Sequence, residues 1–375
     1  MPVPLFDTAT PLEPLRGELR AAALGVLDGG KYILGPEVAA FESEFAASLG
    51  ARHAIGVANG TDALTIALRA MGVGPGDDVV VPSFSFYASA EAIPPTGARP
   101  VFCDIDPETF CVTPETVKAA LTPATKAVMA VHLFGNVAPV AEIEALGVPV
   151  LEDAAQAAGS TRHGERAGAL GAAATFSFFP SKNLGGFGDG GLVTTDNPDL
   201  AARLTCLRNH GMEPRYHHKI MGWNARLDAL QAALLRVKLP HLERWTAGRQ
   251  AAAQRYDALI AEHGLDGLLE RPRTLPERRH VFNQYVLRVK NGRRDAVVQH
   301  LRNEKIGCEI YYPIALHLQE CLRDMGHRVG DFPVSEEACR EVMAPPMFPE
   351  ITPEQQRRVV QAIKQALTAP ARAAA

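Results

Sequence analysis

Between His53 and Asp196, short apolar runs alternate with segments whose apolar positions recur at helical spacing. The runs cover 53–58, 78–82, 99–105, 126–133, 148–153, 173–179 and 191–195. Most are rich in valine, isoleucine or phenylalanine without strict alternation, the pattern of strands covered on both faces. The intervening segments 60–71, 85–93, 114–121 and 137–146 have helical spacing, and several open on threonine, serine or proline. This pattern predicts an α/β fold with a mainly parallel, mixed central sheet flanked by helices. Ligands of such sheets sit beyond the carboxyl ends of the strands, so polar residues that directly follow a strand are the first candidates for chemistry.

Past Leu227 the pattern changes. Residues 228–239 predict an amphipathic helix that Pro240 bends, with helical character resuming towards Tyr256. A strand at 285–289, a helix at 294–305, a strand at 308–312 and helices at 335–342 and 353–367 then predict a smaller C-terminal α+β unit. Two domains are expected: a large cofactor-binding one over 1–240, and a connector helix with a small closing domain over 241–375. The alanine-rich tail 369–375 is expected to fray.

With 375 residues, 47% of them hydrophobic, the chain can bury a substantial core. A net charge of −4 and the lack of basic runs interleaved with aromatics argue against a nucleic-acid partner. Neither a basic-then-apolar leader nor a bilayer-length apolar stretch is present, so a cytoplasmic protein with no membrane partner is expected. The six cysteines form no C-x-x-C pair, and neither a disulfide framework nor a metal site is expected.

One lysine, Lys182, lies between the aromatic segment 176–179 and a cluster of glycines that ends at Gly191. Apolar surroundings lower a lysine pKa, and glycines admit close approach of a planar ligand, so Lys182 is a candidate Schiff-base lysine. A loop lysine in a flexible turn gives the same local pattern. Gly186, Gly188 and Gly191 match the spacing G-x-G-x-x-G, but an extended run follows them where a dinucleotide site needs a helix. The glycines therefore belong to a strand-to-strand turn.

Asp153 ends a predicted strand, where a carboxylate can keep a pyridinium nitrogen protonated or simply cap a helix. Gln156 follows about one helical turn later and can donate to the same ring. Gly60 and Thr61 open a helix directly after a strand, a position suited to a phosphate as well as to an ordinary cap. Phe86 offers an aromatic face, and Ser177 a hydroxyl near Lys182.

The order and spacing of these pieces resemble the DegT/DnrJ/EryC/StrS family of pyridoxal phosphate-dependent nucleotide-sugar aminotransferases, of fold type I. The resemblance covers about 29–367. Its most specific stretches begin at Tyr32 (YILGPEV), Asn59 (NGTDAL), Glu152 (EDAAQ), Phe178 (FFPSKN), Asn224 (NARLD) and Tyr311 (YYPIALH). It implies that Lys182 carries pyridoxal 5'-phosphate as a Schiff base, that Asp153 pairs with the ring nitrogen, and that Gln156 meets the phenolic oxygen. Gly60, Thr61 and Ser177 would bind the phosphate, and Phe86 would stack on the ring. Asn224 would reach the phosphate from the neighbouring subunit, implying a homodimer with shared active sites. Tyr312 and His317 would line the sugar-nucleotide pocket, and Arg226 would meet a substrate carboxylate if the acceptor is a uronate.

The resemblance implies amination of a 3-keto or 4-keto sugar on uridine or thymidine diphosphate, with L-glutamate as donor. The stretches 30–38 and 215–218, ahead of 224–226, most resemble enzymes that aminate 3-keto sugars, including 3-keto uronic acids on uridine diphosphate. Some relatives are dehydratases with histidine at the lysine position, so Lys182 favours transamination. A dehydratase or deaminase, and a non-catalytic regulator, are the alternatives.

Overall fold

The computed structural model describes residues 2–368, and the tail expected to fray lies outside the described residues. Its central sheet is built from β1 (His53–Val57), β2 (Asp78–Pro82), β3 (Arg99–Cys103), β4 (Thr125–Val131), β5 (Val150–Asp153), β6 (Ala173–Ser177) and β7 (Gly191–Thr195). The order across the sheet is β1-β7-β6-β5-β4-β2-β3. β2 through β6 pair in parallel, and β7 runs antiparallel between β1 and β6. The expected mixed, mainly parallel sheet is therefore present. Only an antiparallel neighbour can follow its partner without a helical crossover, and this lets the lysine-bearing loop 178–190 join β6 to β7 directly.

Both faces of the sheet are covered. Val79, Val81, Met129 and Leu151 pack with helix Gly60–Ala70 on one side. Their alternating neighbours Val80, Val128, Ala130 and Val150 pack into a separate cluster on the other. Beside that cluster, helices Arg16–Gly29, Pro36–Leu49 and Ala229–Lys238 cover Phe176, Phe178 and Leu192. The two N-terminal helices were not among the predicted elements. Phe45 meets Phe176 and Phe178 edge-on at 5.0 and 5.6 Å, fixing the strand from which the lysine loop departs.

Helix Ala229–Lys238 passes through a single 3-10 turn at Pro240 into helix Leu242–Glu262, as the pattern predicted. The C-terminal core gathers Tyr256, Tyr285, Leu287, Val297, Leu301, Val359 and Ile363, and Val3 joins it by pairing in parallel with Ile306. Its small antiparallel sheet consists of Leu269–Glu270, Leu287–Val289 and Val342–Met343.

The last of these strands corrects the sequence reading, which put Val342 in a helix and a strand at 308–312. Helix Pro333–Glu341 stops at Val342, whose extended backbone carries it and Met343 into pairing with Arg288 and Leu287. At 308–312 only Glu309 bridges, to Ala344, because Tyr311 and Tyr312 are turned to a cavity wall. The expected helices 85–93 and 137–146 shrink to Ala88–Glu91 and Val140–Glu144, bounded by Pro94 and Pro139.

Candidate active site

A cavity of about 450 Å³ opens beyond the carboxyl ends of β1, β2, β5 and β6. Gly60, Thr61, Phe86, Asp153, Gln156, Ser177, Lys182 and Tyr312, all singled out from sequence, line it together. Such a volume accommodates a cofactor with part of a substrate.

Asp153 is the last residue of β5 and is buried. The Ser89 hydroxyl donates to its Oδ2 at 2.8 Å, and the Ser85 hydroxyl lies 2.9 Å from that of Ser89. Because the Ser89 proton is committed to the carboxylate, Ser85 is the donor of the second contact. The Ala155 amide donates to Oδ1 at 3.2 Å. These bonds hold the carboxylate at the cavity wall.

Lys182 follows a turn in which its own amide donates to the Phe179 carbonyl at 2.9 Å. Its side chain is half-buried, and desolvation by the enclosing protein pulls the amine down to about 8, against the opposing pull of Asp153. An amine so placed is neutral in a useful fraction of molecules near neutral pH, as a nucleophile or proton carrier must be.

Gln156 is oriented by its surroundings. The Phe134 amide donates to Oε1 at 2.6 Å, so the side-chain NH₂ points the other way and donates to the Tyr312 hydroxyl at 3.1 Å. Burial pushes the Tyr312 hydroxyl well above its ordinary range, keeping it protonated. Phe86 is 53% exposed at the cavity mouth, with its ring 6.0 Å from that of Tyr312.

Helix Gly60–Ala70 is capped by Asn59, whose Oδ1 accepts from the Asp62 amide at 2.8 Å. The cap is made by Asn59, and the first-turn amides of Gly60 and Thr61 have no helical partners. A Cβ on Gly60 would stand 2.8 Å from the Ser177 Cβ. Glycine is what allows the helix start and Ser177 to close into one cradle of amides and hydroxyls.

Three expected residues lie elsewhere. His317 is buried outside the cavity, its Nδ1 2.5 Å from the Ser83 hydroxyl and its Nε2 3.2 Å from Glu336 Oε1. Desolvation lowers its pKa; through these contacts the ring ties two loops together and does not line the pocket. Asn224 is exposed and pairs through its backbone with Asn209, while Arg226 donates to Asn209 Oδ1 at 3.1 Å. Neither lines this chain's own cavity.

Sequence reasoning missed Ser85, Ser89, Tyr311 and Gln284. The i, i+4 serines after a strand carried a signal, but nothing local marks Gln284, which arrives from the C-terminal unit. It also missed the layer beneath. Glu152 points away from Asp153 and accepts from the amides of Gly168, Leu170 and Gly171 at 2.8 to 2.9 Å. His132 Nδ1 accepts from the Ala138 amide, which assigns the ring proton to Nε2, 2.8 Å from Glu152 Oε2.

A lysine with a lowered pKa, a buried aspartate and a helix-start cradle form a donor set that fits pyridoxal phosphate. The model for the DegT/DnrJ/EryC1/StrS aminotransferase family matches residues 14–364. A pleiotropic regulatory protein of Geobacillus stearothermophilus is 44% identical over 97% of this chain and 98% of its own length. UDP-N-acetyl-3-dehydro-alpha-D-glucosamine 3-aminotransferase of Acidithiobacillus ferrooxidans is 43% identical over 97% of this chain and 98% of its own. The crystal structure of S. venezuelae DesV in complex with a ketimine intermediate superposes with a TM-score of 0.93 at 40% identity, covering 98% of this chain and 99% of that one. The cofactor is pyridoxal phosphate. The chain belongs to the DegT/DnrJ/EryC1/StrS aminotransferase family.

Proposed function

We propose that this chain transfers an amino group from L-glutamate to the keto carbon of a UDP- or dTDP-linked keto sugar. The convergence of Lys182, Asp153, Gln156 and the Gly60–Ser177 cradle on one cavity carries the reading. The sugar class rests on the 43%-identical relative, whose name specifies a 3-dehydro sugar nucleotide, and C3 is accordingly the favoured acceptor carbon. When bound, pyridoxal phosphate supplies an electron sink and a carrier for the amino group between the two half-reactions.

The residues divide the rest of the chemistry. The Gly60 and Thr61 amides with the Ser177 hydroxyl would hold the phosphate at the positive end of a helix. Asp153, fixed by Ser89, would keep a proton on the ring nitrogen. The Gln156 side-chain NH₂, aimed by the Phe134 amide, would donate to the ring's phenolic oxygen. Phe86 would stack on the ring, and Tyr312 would line the sugar side. Lys182 would hold the cofactor through Nζ, and the same amine is placed to take up and return a proton at that atom.

The reading extends to assembly. Leu24, Leu27, Tyr32, Ile33 and Leu230 are exposed on helices and a turn that touch one another, which supports a homodimer in which the partner brings Asn224 and Arg226 to the site. The separate C-terminal core supports division near residue 240. No helix among the described residues is long and apolar enough to cross a membrane, in line with a cytoplasmic site of action.

The regulatory name of the 44%-identical relative favours a second reading, a cofactor-binding regulator. Loaded protein should change its visible absorbance on addition of L-glutamate and, with a panel of keto-sugar nucleotides, yield a product about 1 Da heavier than the keto sugar, as exchange of a carbonyl oxygen for a hydrogen and an amino group requires. A spectrum indifferent to every amino donor would overturn the aminotransferase reading for this chain. Loss of nitrogen from an amino-sugar substrate would favour a deaminase.

A further inference from the structure

The loop 178–190 that presents Lys182 is rich in glycine, and glycine-rich backbone is entropically expensive to hold in one shape. Within the loop, the Gly186 amide donates to the Phe178 carbonyl at 2.6 Å, and the Phe178 amide donates to the Gly190 carbonyl at 2.8 Å. Two further restraints come from outside, from a single helix. Gln231 Oε1 accepts from the Phe187 amide at 2.9 Å, and Lys238 Nζ donates to the Gly185 carbonyl. Both side chains belong to helix Ala229–Lys238 and stand seven residues apart, two turns along the same face.

Lys238 is only 7% exposed, and among the described residues no carboxylate pairs with it. Its ammonium instead lies 5.2 Å from the centre of the Phe187 ring and 5.7 Å from that of Trp245. Burying a lysine on a carbonyl and two aromatic faces is a costly way to fill space, and an apolar side chain would fill it more cheaply. Desolvation lowers its pKa to about 8. Gln231 also explains the glycine spacing that imitates a dinucleotide motif: a Cβ on Gly188 would stand 2.9 Å from its Nε2, and one on Gly186 3.0 Å from its Oε1. The glycines let the loop lie flat against the helix.

We propose that Lys238 and Gln231 are positioning residues that clamp the loop against helix Ala229–Lys238 and so fix where the Lys182 amine stands. The proposal rests on Lys182 being the reacting lysine. Its test begins with cofactor-free protein, in which hydrogen exchange of the amides in 183–190 is compared for wild type, Lys238→Met, Lys238→Arg and Gln231→Leu. Loop amides should exchange about tenfold faster in Lys238→Met and Gln231→Leu, with those of helix 229–238 unchanged and with partial recovery in Lys238→Arg.

After loading with pyridoxal phosphate, the pH midpoint of the absorbance band of the cofactor–lysine linkage should move by about half a unit or more in the same two variants. kcat should fall while KM for L-glutamate holds. Should Lys238→Met fail to fold, Gln231→Leu carries the test. Folded variants with loop exchange within about twofold of wild type and an unmoved midpoint would overturn the clamp. Borohydride reduction and peptide mapping keep the two readings apart: attachment to a lysine other than Lys182 would overturn the active-site assignment, whatever the loop does.

Discussion

Replacing Lys182 by methionine should make the cofactor-free protein more stable, in a pH-dependent way. Methionine fills a similar volume and imitates the neutral amine. The folded protein lowers the Lys182 pKa from 10.5 to about 8, which corresponds to about 3 kcal/mol against the ammonium in the native state. Below the folded value both states carry the proton and the native state bears the whole penalty. Between about 8 and 10.5 the unfolded chain holds a proton that the native state has released, so wild-type stability climbs with pH. Above the unfolded value the penalty is gone.

The methionine variant should thus gain about 2 to 3 kcal/mol near neutral pH, an advantage that fades as the pH rises towards that of an unperturbed lysine. The half-buried position of the side chain makes the upper figure a ceiling. Urea denaturation of cofactor-free wild type and variant across this range measures it directly. A variant less stable than wild type at neutral pH, or a gain that stays flat with pH, would refute the account of a desolvated amine.

Three further expectations follow from the same geometry. The rate at which cofactor-free protein takes up pyridoxal phosphate, followed by absorbance, should rise with pH through a midpoint of about 8, and Asp153→Asn should move that midpoint lower by removing the charge that favours the ammonium. Gly60→Ala should fold yet bind pyridoxal phosphate more weakly by about 1 to 3 kcal/mol, because the new Cβ stands 2.8 Å from that of Ser177; fluorescence titration reads the loss, and an unchanged affinity would show that the cradle does not depend on this close approach. Glu152→Gln should cost about 3 kcal/mol or more in calorimetry, since one oxygen and an NH₂ replace a carboxylate that serves three amides and His132; a change below about 1 kcal/mol would show that the buried network is dispensable.

The chain announces the parts of its site that directly follow strands. Apolar runs buried on both faces are unmistakable, and Asp153, Gly60 and Ser177 sit at or just past the ends of such runs. Lys182 is legible for a different reason, the abrupt change from aromatics to glycines around it. Ser89 is less visible because its value lies in a contact with Asp153 across 64 positions, and Gln284 because its own neighbours carry no pattern. His317 misleads: a histidine after an extended segment looks the same whether it meets a ligand or, as here, Ser83 and Glu336. Val342 was read as helix because an amphipathic helix runs straight into it. Its pairing with Arg288 depends on a strand that lies far back in the chain.

The reversed strand β7 ties distant parts of the site into one block. Its first residue, Gly191, pairs with both Ser177 and Val57, and a Cβ there would stand 2.3 Å from the Asn59 carbonyl oxygen. The cradle of Gly60 and the two ends of the lysine loop therefore cannot shift independently. Tyr311, Tyr312 and Gln284, in contrast, enter the cavity from segments outside that sheet. Variation in those segments can reshape what the pocket accepts while the cofactor keeps its seat, so a lineage built on this frame is free to exchange sugars without reinventing its chemistry.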